Sequence, residues 1–223
     1  MTNILLASLF LPLSHFLLSS APVRAPLVGR LGERSFLIVY SVVAFLAFAW
    51  LILAYRQAPT VVLWTAPAWA RAALAPVILL AVLLIAAGLT TPNPVIVGSK
   101  ARFDRANIVQ GVLRVTRNPF FWGMGLYALA HVILTGRASG VLAFGSVAVL
   151  GLAGGPVLDA KKARKGGEAW ANFSGVTSNV PFLAIIQGRQ HLVWREIGLW
   201  RLAVGAGLFL AAVLLHCYAP AGT

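Results

Sequence analysis

Long apolar blocks, uncharged except for Arg201 in the last, alternate along this chain with short stretches rich in arginine and lysine. Six blocks stand out, at 3–21, 36–55, 72–90, 119–136, 138–158 and 199–217. Each is near the roughly 20 residues that cross a hydrocarbon core about 30 Å thick, so each is predicted as a helix. The fourth block opens on Pro119, whose missing N–H and fixed φ suit the first turn of a helix. It stops at Thr135-Gly136-Arg137, and a very short turn around Gly136 and Gly140 leads into the fifth. The fifth is glycine-rich (Gly140, Gly145, Gly151, Gly154, Gly155), which lets neighbouring membrane helices approach closely. Between the second and third blocks, Pro59 to Trp69 reads as an interfacial segment, since tryptophan is common at headgroup depth. Residues 22–35, with three arginines, are expected to form a loop. The first block is read as a retained span and not a signal peptide, because no Lys or Arg precedes Arg24.

The expectation is an all-α, polytopic membrane bundle of about six transmembrane helices, one domain over residues 1–223. Composition hardens it. The chain is 60% hydrophobic and 10% charged with mean hydropathy +0.87, against about 25% charged residues in a soluble domain. The formal charge of +13 would suggest nucleic acid in a soluble protein. Here the bases cluster between apolar runs, so lipid headgroups are the expected partner and nucleic acid is not. Loops one, three and five, with Arg201, hold 15 of the 18 Lys and Arg residues, and loops two and four hold Arg56, Arg71 and Arg137. The heavy side is expected to be cytoplasmic, with both termini periplasmic. The single cysteine, Cys217, excludes an internal disulfide or a multi-cysteine metal site.

Candidate chemistry is sparse. His15 lies in the first block, His131 in the fourth, His216 near the end of the sixth and His191 in a basic loop. A lone histidine in a span is commonly a core residue bonded to a neighbouring helix. Two facing one bundle interior are how bundles hold haem. No Cys-x-x-Cys-His motif is present, so haem is not attached covalently. Relative to their spans, His15 sits three residues to the cytoplasmic side of centre and His131 about three to the periplasmic side. That is an offset of roughly 9 Å. His131 with His216 is the alternative pair. The stretch Asp159 to Gln190 is expected to start as an amphipathic helix with Trp170 and Phe173 on its apolar side, lying on acidic lipid. Thr177 and Ser178 offer hydroxyls to cap a short helix, and Arg189 offers a guanidinium to a carboxylate or phosphate. No phosphate-cradling glycine loop and no hydrolytic constellation occur.

Arg114-Val115-Thr116-Arg117-Asn118-Pro119, Leu129-Ala130-His131 with Thr135-Gly136, and Asp159, Lys162, Gly167-Glu168-Ala169, Thr177-Ser178, Pro181-Phe182 and Gly188-Arg189-Gln190 together resemble the NnrU family. His15 and Gly32-Glu33-Arg34 fit as well. This is a family of bacterial integral membrane proteins named from denitrification gene clusters, and the 15-cis-zeta-carotene isomerases are similar to it. The resemblance covers nearly the whole chain. It implies a bacterial inner-membrane protein with a non-covalent haem b held by His15 and His131. Arg117, Asn118 and Arg189 are the further cofactor-binding candidates, with Arg117 and Arg189 open to haem propionates or to lipid phosphates. The implied activity is cis–trans isomerisation of an apolar polyene, or a part in nitric oxide and nitrite metabolism. The isomerases carry a histidine where this chain has Asn118 and a cysteine where it has Ala128. Arg117-Asn118-Pro119 with Gly123, Gly167, Trp170 and Pro181 also resembles the membrane methyltransferases of isoprenylcysteine, which implies S-adenosylmethionine as an alternative ligand.

Overall fold

The computed structural model describes residues 1–96, 102–103 and 107–218, with side chains through Leu215; the side chains of His216 and Cys217 lie outside the described residues. The described residues form eleven helices and no strand: α1 Thr2–Ser19, α2 Ala21–Leu31, α3 Glu33–Gln57, α4 Ala68–Thr90, α5 Val112–Val115, α6 Pro119–Thr135, α7 Ala138–Lys165, α8 Gly167–Val176, α9 Leu183–Ile186, α10 Trp194–Ile197 and α11 Leu199–Tyr218. All six apolar blocks are helices. Four of them, α1, α3, α4 and α7, are long and apolar enough to cross a membrane, and α6 and α11 are shorter apolar helices. The protein is an all-helical membrane protein.

The chain divides into two compact units, one of residues 1–67 and 131–149, the other of 68–130 and 150–223. In the first, α1 and α3 run antiparallel. The indole of Trp50 donates to Asn3 Oδ1 at 2.9 Å, and Phe10 meets Trp50 with ring centroids 5.7 Å apart. Along α1, Ile4, Ala7, Ser8, Leu11 and Ser14 form one buried stripe, while Leu13 and Leu17 are exposed. An apolar stripe open to the outside is what lipid requires of a spanning helix. Residues 22–35, expected as a loop, are instead mostly α2. Ser20 is extended and ends α1, and Pro22 sits in the first turn of α2, where a proline costs no hydrogen bond. Arg24 pairs with Glu33 and lies over the Phe36 ring at 5.2 Å, which ties α2 back onto α3. The Pro59 to Trp69 segment is extended where it meets the α6–α7 turn. Leu63 N–H donates to the Gly136 carbonyl at 2.8 Å and Ala138 N–H to that of Val61 at 2.9 Å.

The second unit is built on α4, the first part of α6, the second part of α7, and α11. Gly125 of α6 and Gly151 of α7 face one another; a Cβ on Gly151 would stand 2.5 Å from the Gly125 nitrogen. Nothing larger fits at that distance. Arg201 donates to the hydroxyl and carbonyl of Thr90 at 3.2 and 3.3 Å, covering the end of α4 where carbonyls lack helix partners. The expected amphipathic helix from Asp159 does not begin there. α7 runs on to Lys165, and Gly167, with φ +52°, marks the break to α8. Trp170 and Phe173 do not lie on lipid: they are buried in a cluster with Val95 and Ile108, and Phe103 and Leu158 pack against it.

Candidate functional site

Two places hold the residues that sequence alone singles out. The first is a polar knot in the second unit, where residues 115–118 run beside 177–182. Arg117 N–H donates to the Ser178 carbonyl at 2.9 Å, and Phe182 N–H to that of Val115 at 2.8 Å. Phe182 takes a left-handed φ of +64° to make this turn. Thr116 Oγ1 donates to the Asn179 carbonyl at 2.5 Å. Arg117 Nε donates to Asp159 Oδ2 at 2.7 Å, its Nη1 to the Thr177 carbonyl at 3.2 Å, and its guanidinium lies over Trp170 at 5.5 Å. Asn118 Nδ2 donates to Asp159 Oδ1 and to Asn179 Oδ1, both at 2.9 Å. Both oxygens of the buried Asp159 are therefore taken.

Arg189 donates to the carbonyls of Gly175 and Thr177 at 2.5 and 2.9 Å and to Gln187. A cation is favourable there, at the C-terminal end of α8. Arg117, Asn118 and Arg189 thus hold the 177–182 turn from three sides. Sequence reasoning offered the two arginines to an external anion. It missed Asp159 as the acceptor that organises them, and missed Asn93, whose Nδ2 donates to the Arg117 carbonyl at 2.9 Å. The signal was present: Asp159 is one of only five acids in the chain, and an acid ending an apolar helix needs a cation close by. Beside the knot lies a half-open cavity of ≈ 250 Å³, walled by Leu89, Ile96, Pro119, Phe120, Phe121 and Leu158, with Asn93 and Asn118 at its polar edge.

The second place is in the first unit and contains both His15 and His131. His15 Nδ1 lies 2.9 Å from the Leu11 carbonyl. A carbonyl can only accept, so Nδ1 carries a proton and Nε2 is the nitrogen outside that bond. That ring meets Tyr40 edge-on at 5.7 Å. The His131 and Phe144 ring centroids lie 4.9 Å apart with their planes tilted by 34°, and Phe144 meets Tyr55 at 6.1 Å. Tyr40 and Tyr55 are fifteen residues apart on α3, about 22 Å of helix rise. The two histidines are thus anchored toward opposite ends of α3. On the His15 face of α1, two turns away, the buried Ser8 hydroxyl has no hydrogen-bond partner among the described residues. Pro12, in the same helix, has no N–H to offer the Ser8 carbonyl.

The family profile described as NnrU protein matches residues 3–220. A relative from Zea mays, named 15-cis-zeta-carotene isomerase, chloroplastic, is 35% identical over 82 residues, which cover 37% of this chain and 22% of the relative. The match therefore spans under a quarter of that relative's length. No solved structure matches the chain significantly.

Proposed function

The chain belongs to the NnrU family, and from that premise we propose that it is a haem-dependent cis–trans isomerase of linear polyenes in a bacterial inner membrane. The observation that carries the proposal is the state of His15. Its Nδ1–H is spent on the Leu11 carbonyl, which leaves Nε2 as the ring nitrogen that could meet a metal. A metal-ligating histidine is held in just this way, its other ring nitrogen donating to a carbonyl. The likeness to a 15-cis-zeta-carotene isomerase supplies the reaction class and an apolar substrate that the bilayer dissolves.

His15 would hold a haem b, while His131 is anchored toward the other end of α3. The haem, when bound, supplies a redox-active iron for a reaction whose substrate and product are isomers. The chain's own residues prepare the site. The Leu11 carbonyl holds Nδ1 of His15, and Tyr40 limits rotation of its ring. Ser8 offers a buried hydroxyl that lacks a partner, and a bound group relieves that cost. Arg117 and Asn118 have partners within the protein, so their part is to hold the 177–182 turn.

The absorption spectrum of detergent-purified protein, oxidised and dithionite-reduced, with a pyridine haemochrome assay, tests this. The expected result is haem b near one per chain, five-coordinate and high-spin, lost in His15→Ala and kept in His131→Ala, because the two histidines are anchored toward opposite ends of α3. A full Soret band in His15→Ala would sink the assignment. A six-coordinate low-spin spectrum lost in either variant would select the second reading, in which both histidines hold the iron.

A further inference from the structure

The segment that leads from the 177–182 turn to α11 keeps its polar contacts on the inside and its large apolar side chains on the outside. The inner side is fastened to α5, where Val112, Leu113 and Val115 are buried. Phe182 N–H donates to the Val115 carbonyl at 2.8 Å. Arg114 donates to Gln190 Oε1 at 2.7 Å and to both carboxylate oxygens of Glu196, and the Gly111 N–H donates to Glu196 at 2.9 Å. One guanidinium thus gathers residues 190 and 196 onto α5. Ser178 Oγ accepts from the Ala184 N–H at 3.1 Å, and Ala184 and Ile197 are buried.

The outer side is the reverse. Phe182 and Ile186 stand at the two ends of α9, a single turn in which the Ile186 N–H donates to the Phe182 carbonyl at 2.9 Å. Phe182 is 43% exposed, Ile186 78% and Trp194, the first residue of α10, 71%. In water each of these side chains would forgo the gain of burial. From Val180 to Arg195 the sequence has no Asp or Glu, while Arg189, His191 and Arg195 are exposed. The strap then runs into Leu199 and Trp200, both exposed on the first turn of the apolar helix α11. Its outer face is therefore continuous with the side of α11 that a membrane protein offers to lipid.

Tryptophan and arginine among aliphatic side chains suit headgroup depth, and a basic face without acids complements acidic phospholipid. A second copy paired through this patch about a twofold axis would set the same arginines against one another. The helix α8 does not take this role, since its Trp170 and Phe173 are turned into the protein. We propose that residues 180–196 form a membrane foot. Phe182, Ile186 and Trp194 enter the boundary between headgroups and acyl chains, and Arg189 and Arg195 lie among acidic phospholipid headgroups. The foot requires neither haem nor turnover.

Ile186→Cys and Trp194→Cys, each in a Cys217→Ser background, carry the environment-sensitive fluorophore NBD in full-length protein. The labelled proteins are reconstituted into vesicles of phosphatidylcholine and phosphatidylglycerol, with NBD-labelled free cysteine in buffer as the aqueous reference. Both positions are exposed, so labelling leaves the core intact, and a thermal melt of each labelled protein checks this. The expected result is blue-shifted emission at both positions, quenched more by lipid with a doxyl group near the headgroup than by lipid with the group near the acyl end. Doxyl-labelled phosphatidylglycerol should quench position 194 at least about twofold more than doxyl-labelled phosphatidylcholine, a preference that falls as salt rises. Aqueous emission at both positions, untouched by either lipid, overturns the foot. Blue-shifted emission that no doxyl lipid quenches means that protein covers the face, as in a dimer of this chain, and overturns it as well. Equal quenching by the two headgroups overturns the match to acidic lipid.

Discussion

Asp159 shows how much one residue carries here. It is buried, takes the guanidinium of Arg117 on one oxygen and the amide of Asn118 on the other, and has 11% of its side chain exposed. Removing one partner of such a pair strands a charge, at about 3–5 kcal/mol, while removing both costs less. Arg117→Ala should therefore lower the unfolding midpoint in detergent sharply, and Arg117→Ala with Asp159→Ala should recover part of the loss. Equal or greater damage in the double variant would show that the bond from Asn118 matters more than the ion pair. Ser8 points the other way. Ser8→Ala removes an unpaired buried hydroxyl, so it should leave haem-free protein as stable or slightly more so. If a bound group uses that hydroxyl, haem affinity should fall several-fold in a titration followed at the Soret band.

Glu196 makes a pH-dependent contribution. Hydrogen bonds from Arg114 at 2.7 and 2.9 Å hold its carboxyl below the ordinary value of 4.5, aided by the Gly111 N–H and opposed by burial. A carboxylate whose pKa is lower folded than unfolded stabilises the fold above the ordinary value. That stability is lost as pH falls through the folded value. With 28% of the side chain exposed, solvent screens the pair and about 1 kcal/mol is the scale to expect. The wild-type melting midpoint should drop on acidification below about pH 4.5. Glu196→Gln should melt lower at pH 7 and change less over that range.

At the scale of elements, the six apolar blocks could be read in advance because lipid demands long uncharged helices and nothing shorter will serve. The connections were harder, because short helices are decided by local contacts. Residues 22–35 carry three arginines and two prolines, which read as a loop. Pro22 falls where a proline is harmless, and Arg24 finds both Glu33 and Phe36. In α8 the apolar face was read correctly and its partner was not: Trp170 and Phe173 meet protein instead of lipid because Val95, Phe103 and Ile108 lie across from them. Spacing within one segment cannot reveal a partner 60 or more residues away. The α6–α7 turn was legible from Gly136, and the structure adds its reason. Gly136 sits at φ +57°, and a Cβ there would run into the Trp64 carbonyl oxygen. Gly136→Ala should destabilise by about 1–3 kcal/mol from backbone strain alone, and more if the 61–64 segment is pushed off. Hydrogen exchange at Leu63 and Ala138, whose amides bond across that turn, should speed up in the variant.

At the scale of the whole molecule, the distribution of charge becomes a statement about the membrane. Positive loops are held on the cytoplasmic side, and if all six apolar helices span, 15 of the 18 basic residues would fall on one side. The contacts show that part of this charge also serves the fold, since Arg114, Arg117, Arg189 and Arg201 each bond within the protein. Arg24 does so as well. Arg164 and Lys165 are exposed at the end of α7. Six spans would put both termini on one side, opposite the basic loops. Alkaline phosphatase fused after Thr223 should be active in a bacterial host, because it folds only outside the cytoplasm. The same reporter inserted after Lys165 should be inactive. Replacing Arg164 and Lys165 by glutamine should raise the activity of that second fusion only modestly, since α3, α4 and α7 still anchor the chain by hydropathy. A C-terminal fusion active only with a cytoplasmic reporter would mean an odd number of spans. The shorter helices α6 and α11 would then be the first to reassign.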